Sequence, residues 1–140
     1  MISADTWTRA LLTSGMILAG CGLYLLYNWM LSRRIGRGLL AELGVHHPGT
    51  LLIVYFSTPT CVPCKTIQRP TLEGIVRVMD GTVQILEIDA SQSPDLASRW
   101  GVLSSPTTYV VDPHGKIRFV NHGVARMEKL LMQLQVAKQE

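Results

Sequence analysis

From Ala10 to Leu31 the chain runs 22 residues without a charge, and most of them are apolar. As a helix rising 1.5 Å per residue this run is ~33 Å long, enough to cross a hydrocarbon core of ~30 Å. Trp7, Tyr27 and Trp29 flank its ends, where amphipathic rings favour a membrane–water interface. The pattern predicts one N-terminal transmembrane helix, an anchor over residues 1–32 that meets the membrane through residues 10–31. A cleaved signal peptide is the competing reading, but such peptides have a shorter apolar region, a basic start and a small-residue cleavage site. Here the start is MISADTWTR, the apolar run is longer, and Arg33, Arg34 and Arg37 follow it, so a retained anchor is favoured. Gly15, Ala19 and Gly22 recur at i, i+4 and i+7. That stripe would let partner helices of a membrane complex approach closely, although glycine is common in membrane helices generally. Cys21 reads as a small apolar residue of the run.

After the run the period changes. Ile35, Leu39, Leu40 and Leu43 fall on one side of a connecting helix over 33–43. Gly44 can end it, and His46-His47-Pro48-Gly49 reads as a turn with solvated histidines. Residues 33–49 are therefore a connecting helix and turn, and 50–140 a domain. Thr50–Phe56 is a continuous apolar strand, the pattern of a central strand covered on both faces. A helix follows over about 61–79, with Pro70 inside it as an expected bend. Thr82–Asp89 is a second strand after an Asp80-Gly81 turn. Ser93-Pro94-Asp95 has the residues of a helix start, and Trp100-Gly101 closes that helix. Strands Thr108–Asp112 and Lys116–Asn121 flank an Asp112-Pro113-His114-Gly115 hairpin turn. A last amphipathic helix runs from Gly123 to about Lys138. The order is β-α-β-α-β-β-α, without repeats or low-complexity tracts.

Charge adds orientation. The 140-residue chain carries a net charge of +3. Outside the run the signs are mixed, and no basic-aromatic surface suggests a nucleic acid. Arg9 alone precedes the run, beside Asp5, whereas three arginines follow it. The positive-inside rule then places the C-terminal domain in the cytoplasm, as the soluble part of a single-pass membrane protein. An extracytoplasmic domain is the alternative, because disulfides persist there.

The chemistry lies in Cys61-Val62-Pro63-Cys64, where the first strand gives way to a helix. A helix N-terminus offers free N–H groups and partial positive charge. That field favours a thiolate on Cys61, the nucleophile of disulfide exchange. Cys64, one turn on, can attack the resulting mixed disulfide. A zinc site would need more ligands, and neither Cys21 nor the four histidines supply a second pair at suitable spacing. A covalent haem site would need His where Lys65 stands. A dithiol/disulfide pair without metal or cofactor is the favoured reading; zinc or an inert structural pair is the remainder.

This order of elements, with C-x-x-C at the first strand–helix junction and Ser105-Pro106-Thr107 before the hairpin, resembles the thioredoxin superfamily over about Thr50 to Gln139. The resemblance implies a thioredoxin-like α/β fold: a central four-stranded mixed sheet flanked by helices, with strands in the spatial order second, first, third, fourth. It implies Cys61 as attacking and Cys64 as resolving cysteine. Pro63 and Lys65 look like supporting positions of the motif. Pro106 looks like the family's cis-proline, which with Ser105 and Thr60 would line the site for an extended protein substrate. Trp100-Gly101 and Gly123 also match.

Departures accompany the likeness. Thr60 stands where thioredoxins usually have Trp. Tyr55 replaces a buried Asp that assists proton transfer from the resolving thiol, and Ile85 replaces the Lys that accompanies it. Pro70 is one residue late, and the family's first strand has no counterpart. Two functions follow as expectations. One is a membrane-tethered thiol–disulfide oxidoreductase acting on protein dithiols or disulfides; the lack of a His between the cysteines leans towards a reductant. The other is a thioredoxin-like accessory subunit of a membrane complex, with a vestigial or regulatory dithiol.

Overall fold

The computed structural model describes residues 4–44 and 49–139, and among them the side chains of 4–6, 8, 10, 27–39 and 42 are not described. The turn expected over His46–Pro48 lies outside the described residues. The chain divides into two compact units, Met1–Arg34 and Ile35–Glu140. One helix, α1 (Ala4–Leu43), includes both the apolar run and the segment expected as a connecting helix. No proline interrupts 33–43, and α1 stops where Gly44 adopts a left-handed φ of 62°. In the first unit Leu12, Met16, Leu18 and Leu23 are all exposed. Among the described residues no helix is long and apolar enough to cross a membrane, and the described side chains of the run end at Leu26. The apolar run continues past that point.

The second unit is built on four strands: β1 (Leu51–Ser57), β2 (Val83–Asp89), β3 (Thr107–Val111) and β4 (Ile117–His122). Their spatial order is β2-β1-β3-β4. β1 is parallel to β2 and antiparallel to β3, and β3 is antiparallel to β4. This is the four-stranded mixed sheet and strand order expected from sequence. All seven residues of β1 are buried, which is why the strand is a continuous apolar run from Leu51 to Phe56 rather than apolar at alternate positions. Leu51, Ile53 and Tyr55 enter one core with Leu72, Ile75, Leu130 and Leu134. Those partners come from α2 (Arg69–Val78) and α4 (Met127–Gln139). Leu52, Val54 and Phe56 enter the opposite core with Trp100, Tyr109 and Leu40. That face is covered by α3 (Pro94–Arg99) and the last turns of α1. Each such buried aliphatic or aromatic side chain stabilises the fold by roughly 1.5–3 kcal/mol.

Two helices depart from the sequence expectation. The helix expected over 61–79 is not uniform: a π-helical turn, Cys64–Gln68, precedes α2. Pro70 has no N–H and crowds the carbonyl four residues back. It sits in the first turn of α2, where a missing donor costs little. The wider turn is closed by Arg69 N–H donating to the Cys64 carbonyl, five residues back. The final helix starts at Met127, not Gly123. Gly123 has φ 86°, and the Gln68 side chain holds the next residues outside helical bonding. Its Oε1 accepts from Ala125 N–H at 2.8 Å, and its Nε2 donates to the Ala125 carbonyl at 3.3 Å. Ser93 does stand at the N-cap of α3, but its side chain makes no capping bond.

The hairpin between β3 and β4 is organised by a buried carboxylate. Asp112 accepts from the backbone N–H of His114 and Lys116, both at 2.9 Å, and from Arg118 Nε at 2.8 Å. Burial alone would push Asp112 up. The bonds from Lys116, Arg118 and His114 outweigh it and hold the carboxyl below its usual range.

Candidate functional site

β1 ends at Ser57, and the chain turns through Thr58–Thr60 before the helical segment opens at Val62. Cys61 N–H donates to the Thr58 carbonyl at 3.1 Å, which sets this turn. Cys61 and Cys64 form a disulfide, with Cα atoms 5.3 Å apart. The two sulfurs differ in access. Cys61 is half-buried, whereas Cys64 is 1% exposed and belongs to the core that holds Tyr55 and Leu72. Cys64 N–H lies 3.2 Å from Cys61 Sγ and donates towards it. A thiolate at Cys61 would receive that bond, as an N-cap side chain does.

The other residues singled out in the sequence divide into two groups. Thr60, Pro63 and Lys65 are exposed beside the cysteines, and Val62 adds an exposed apolar side chain. Ser105 and Pro106 come from the far side of the chain. The Ser105–Pro106 peptide bond is cis. Thr107 pairs with Phe56, so Pro106 and Ser57 leave the β1–β3 ladder at the same end. That end is the one from which the Cys61 turn departs. Pro106 is buried and its carbonyl accepts from Gly123 N–H at 2.7 Å; Ser105 is half-buried. Ser105 also lines a cavity of about 370 Å³ with Leu103, Gly101 and Pro94.

A polar cluster lies behind Cys64 that the sequence reading passed over. Tyr55, in the position where a carboxylate would be expected, is buried, and its hydroxyl donates to the Cys64 carbonyl at 3.2 Å. Desolvation, with the nearby Glu87 charge adding to it, pushes the phenol up to about 12. Tyr55 is therefore a neutral donor wherever thiols titrate. Its direct partner on the parallel neighbour strand is Glu87. Glu87 Oε1 accepts from Ser57 Oγ at 2.8 Å and from Arg69 Nη2 at 2.7 Å. Ser57, Arg69 and Glu87 share a cleft of about 420 Å³ with Cys64, Lys65 and Asp89. The signal in the sequence was Glu87, an acid between Leu86 and Ile88 in the strand Val83–Asp89. Only the pairing of Tyr55 with Glu87 gives that acid a position. Among the described residues no three His, Cys, Asp or Glu side chains converge as a metal site would require.

A mixed four-stranded sheet between helices, a C-x-x-C disulfide at the strand-to-helix turn and a cis-proline at the same sheet end define a thioredoxin-type dithiol protein. The thioredoxin family model matches residues 42–135, and the chain belongs to that family. It is similar to thioredoxin of Bacillus subtilis, 34% identical over 61 residues, covering 44% of this chain and 58% of that protein. Thioredoxin 1 of a Nostoc species is 26% identical over 69 residues, covering 49% of this chain and 64% of that one. The chain thus spans about three fifths of the length of these relatives. Among solved structures, Fasciola hepatica thioredoxin superposes with a TM-score of 0.60 at 26% identity, covering 71% of this chain and 91% of that one. Chloroplastic thioredoxin z shares the fold with a TM-score of 0.64 at 23% identity, covering 74% and 91%.

Proposed function

We propose that this protein is a thiol–disulfide oxidoreductase that exchanges disulfides with protein substrates. The observation that carries the proposal is the unequal Cys61–Cys64 pair, Cys61 half-buried and Cys64 in the core. A surface thiolate at Cys61 attacks a substrate disulfide. The mixed disulfide is then resolved by Cys64, which closes the Cys61–Cys64 bond and releases the substrate thiol. Thr60, Ser105 and Pro106 would receive the substrate strand; Pro63 and Lys65 support the dithiol turn. The direction proposed is reduction. The test is the rate at which the reduced protein reduces a model protein disulfide, with the reduction potential of the Cys61/Cys64 couple. Turnover that ceases in Cys61→Ser supports the reading, and turnover that survives it removes it.

We further propose that α1 tethers the domain to a membrane, with the domain on the cytoplasmic side. The exposed leucines of α1 and the arginine excess after the apolar run support this. Flotation of the full chain with lipid vesicles tests the tether. Labelling of an engineered surface cysteine in intact cells by a membrane-impermeant reagent would place the domain outside. The same exposed helix favours a second reading, an accessory subunit of a membrane complex packed through Gly15, Ala19 and Gly22. In that case Gly15→Leu with Ala19→Leu should release copurifying partners.

A further inference from the structure

Resolution by Cys64 poses a proton problem that the site described so far leaves open. A thiol in the core, 1% exposed, must lose its proton before it can attack, and burial in apolar surroundings makes that loss harder. Tyr55, whose hydroxyl bonds the Cys64 carbonyl, is a neutral phenol at working pH and cannot serve as a base for the thiol. Two carboxylates, Glu87 and Asp89, line the cleft of Cys64, and Glu87 is the one paired in register with Tyr55. We propose that Glu87 is the proton acceptor for the Cys64 thiol, reached across the cleft of about 420 Å³ that both residues line.

The placement is built rather than incidental. Glu87 is the in-register partner of Tyr55 on the adjacent strand, so its side chain emerges on the face where Cys64 is packed. Arg69 and Ser57 both bond its Oε1, which orients the carboxylate and leaves Oε2 without a partner among the described residues. Arg69 belongs to the turn of helix that follows Cys64, and its own N–H closes on the Cys64 carbonyl. One residue therefore ties the carboxylate to the segment carrying the thiol. The charged and titratable groups that face Glu87 are Tyr55 from β1, Lys65 from the π turn, Arg69, Glu73 and Arg77 from α2, and Asp89 on its own strand. Asp89 is already bonded by Ser91 N–H at 2.8 Å and by Ser91 Oγ at 2.6 Å, and these bonds hold it below its usual range.

In the mixed disulfide between Cys61 and substrate, the Cys64 thiol gives its proton through cleft water to Glu87. The Cys64 thiolate attacks Cys61 Sγ, the Cys61–Cys64 bond forms, and the substrate sulfur leaves with the electron pair. That thiolate takes up a proton from solvent or from Glu87. The substrate disulfide is reduced by two electrons and the protein dithiol is oxidised.

This inference rests on the oxidoreductase reading, and its test separates the two. Resolution of a preformed mixed disulfide is followed from about pH 6 to pH 9 in wild type, Glu87→Gln and Glu87→Asp. Gln keeps the bonds from Ser57 and Arg69 but accepts no proton. The expected result for Glu87→Gln is a roughly 100-fold slower resolution near neutral pH. The curves should converge as pH rises, where hydroxide can take the proton in place of Glu87. Alkylation of Cys61 should be unchanged, and Glu87→Asp should recover part of the rate. Superimposed profiles, or an equal loss at every pH, would overturn the assignment. A wild-type protein that does not resolve the mixed disulfide would instead remove the oxidoreductase reading. The carbon-13 titration of reduced wild-type protein then still decides. An inflection of the Glu87 carboxyl shift at the Cys64 titration supports the coupling, and its lack refutes it.

Discussion

Two apolar stretches of this chain end in opposite surroundings. β1 places seven residues in the interior, and Ile53, Val54 and Phe56 have no exposed surface at all. The described run of α1 leaves Met16 77% and Leu18 73% exposed. Composition alone does not separate them. In β1 the neighbouring strands satisfy the backbone and two helical layers cover both faces. In α1 the helix satisfies its own backbone, so its side chains need no protein cover to hold the helix together. The consequence is that the domain's stability and chemistry are written in its own contacts, whereas the purpose of the run lies in whatever covers it.

The widest separation between the two regions should appear in the chemistry. Cys61→Ser is expected to lower disulfide exchange by about a thousandfold or more, since the nucleophile itself is lost. Cys64→Ser should accumulate mixed disulfides, visible on non-reducing gels. Gly15→Leu with Ala19→Leu should leave the exchange rate of the purified protein unchanged. A loss there would show that the run contributes to the domain's chemistry after all, and would break the comparison.

Stability should divide the same way. Truncation of Ile53 to Ala in the sheet is expected to cost about 3 kcal/mol in denaturant unfolding of the domain. Leu18→Ala in the exposed run should change that transition by less than about 0.5 kcal/mol. A larger effect of Leu18→Ala would mean that the run is covered by the protein itself.

A smaller effect, with a sign in pH, belongs to the hairpin. Asp112→Asn should cost about 2 kcal/mol near neutral pH, because bonds to a buried charge are lost. The folded carboxyl is held below its usual range by its donors. Its contribution is therefore fully present above the unfolded value of about 3.9 and is lost as pH falls through the folded one. The gap between wild type and variant should close in acid, and a gap that widens there would contradict the donor-dominated carboxylate.

The sequence by itself determined the central position of β1 and the cysteine pair at its end, through short-range signals: an unbroken apolar run and C-x-x-C at a strand–helix junction. The strand order and the cis-proline followed only from the resemblance of the whole pattern to the thioredoxin family. The helix after Cys61 was legible as a helix, but its π turn was not. Pro70 announced a disturbance, and only the closure of Arg69 on Cys64 showed where the extra residue went. The start of α4 was missed because Gln68, far back in the chain, decides it through Ala125. Glu87 was invisible for the same reason. Strand residues read alone show which positions are apolar, and the partner across the sheet is set by register. Tertiary structure placed that acid beside Tyr55 and into the cleft of Cys64, because a side chain's chemical role depends on neighbours that are distant in sequence.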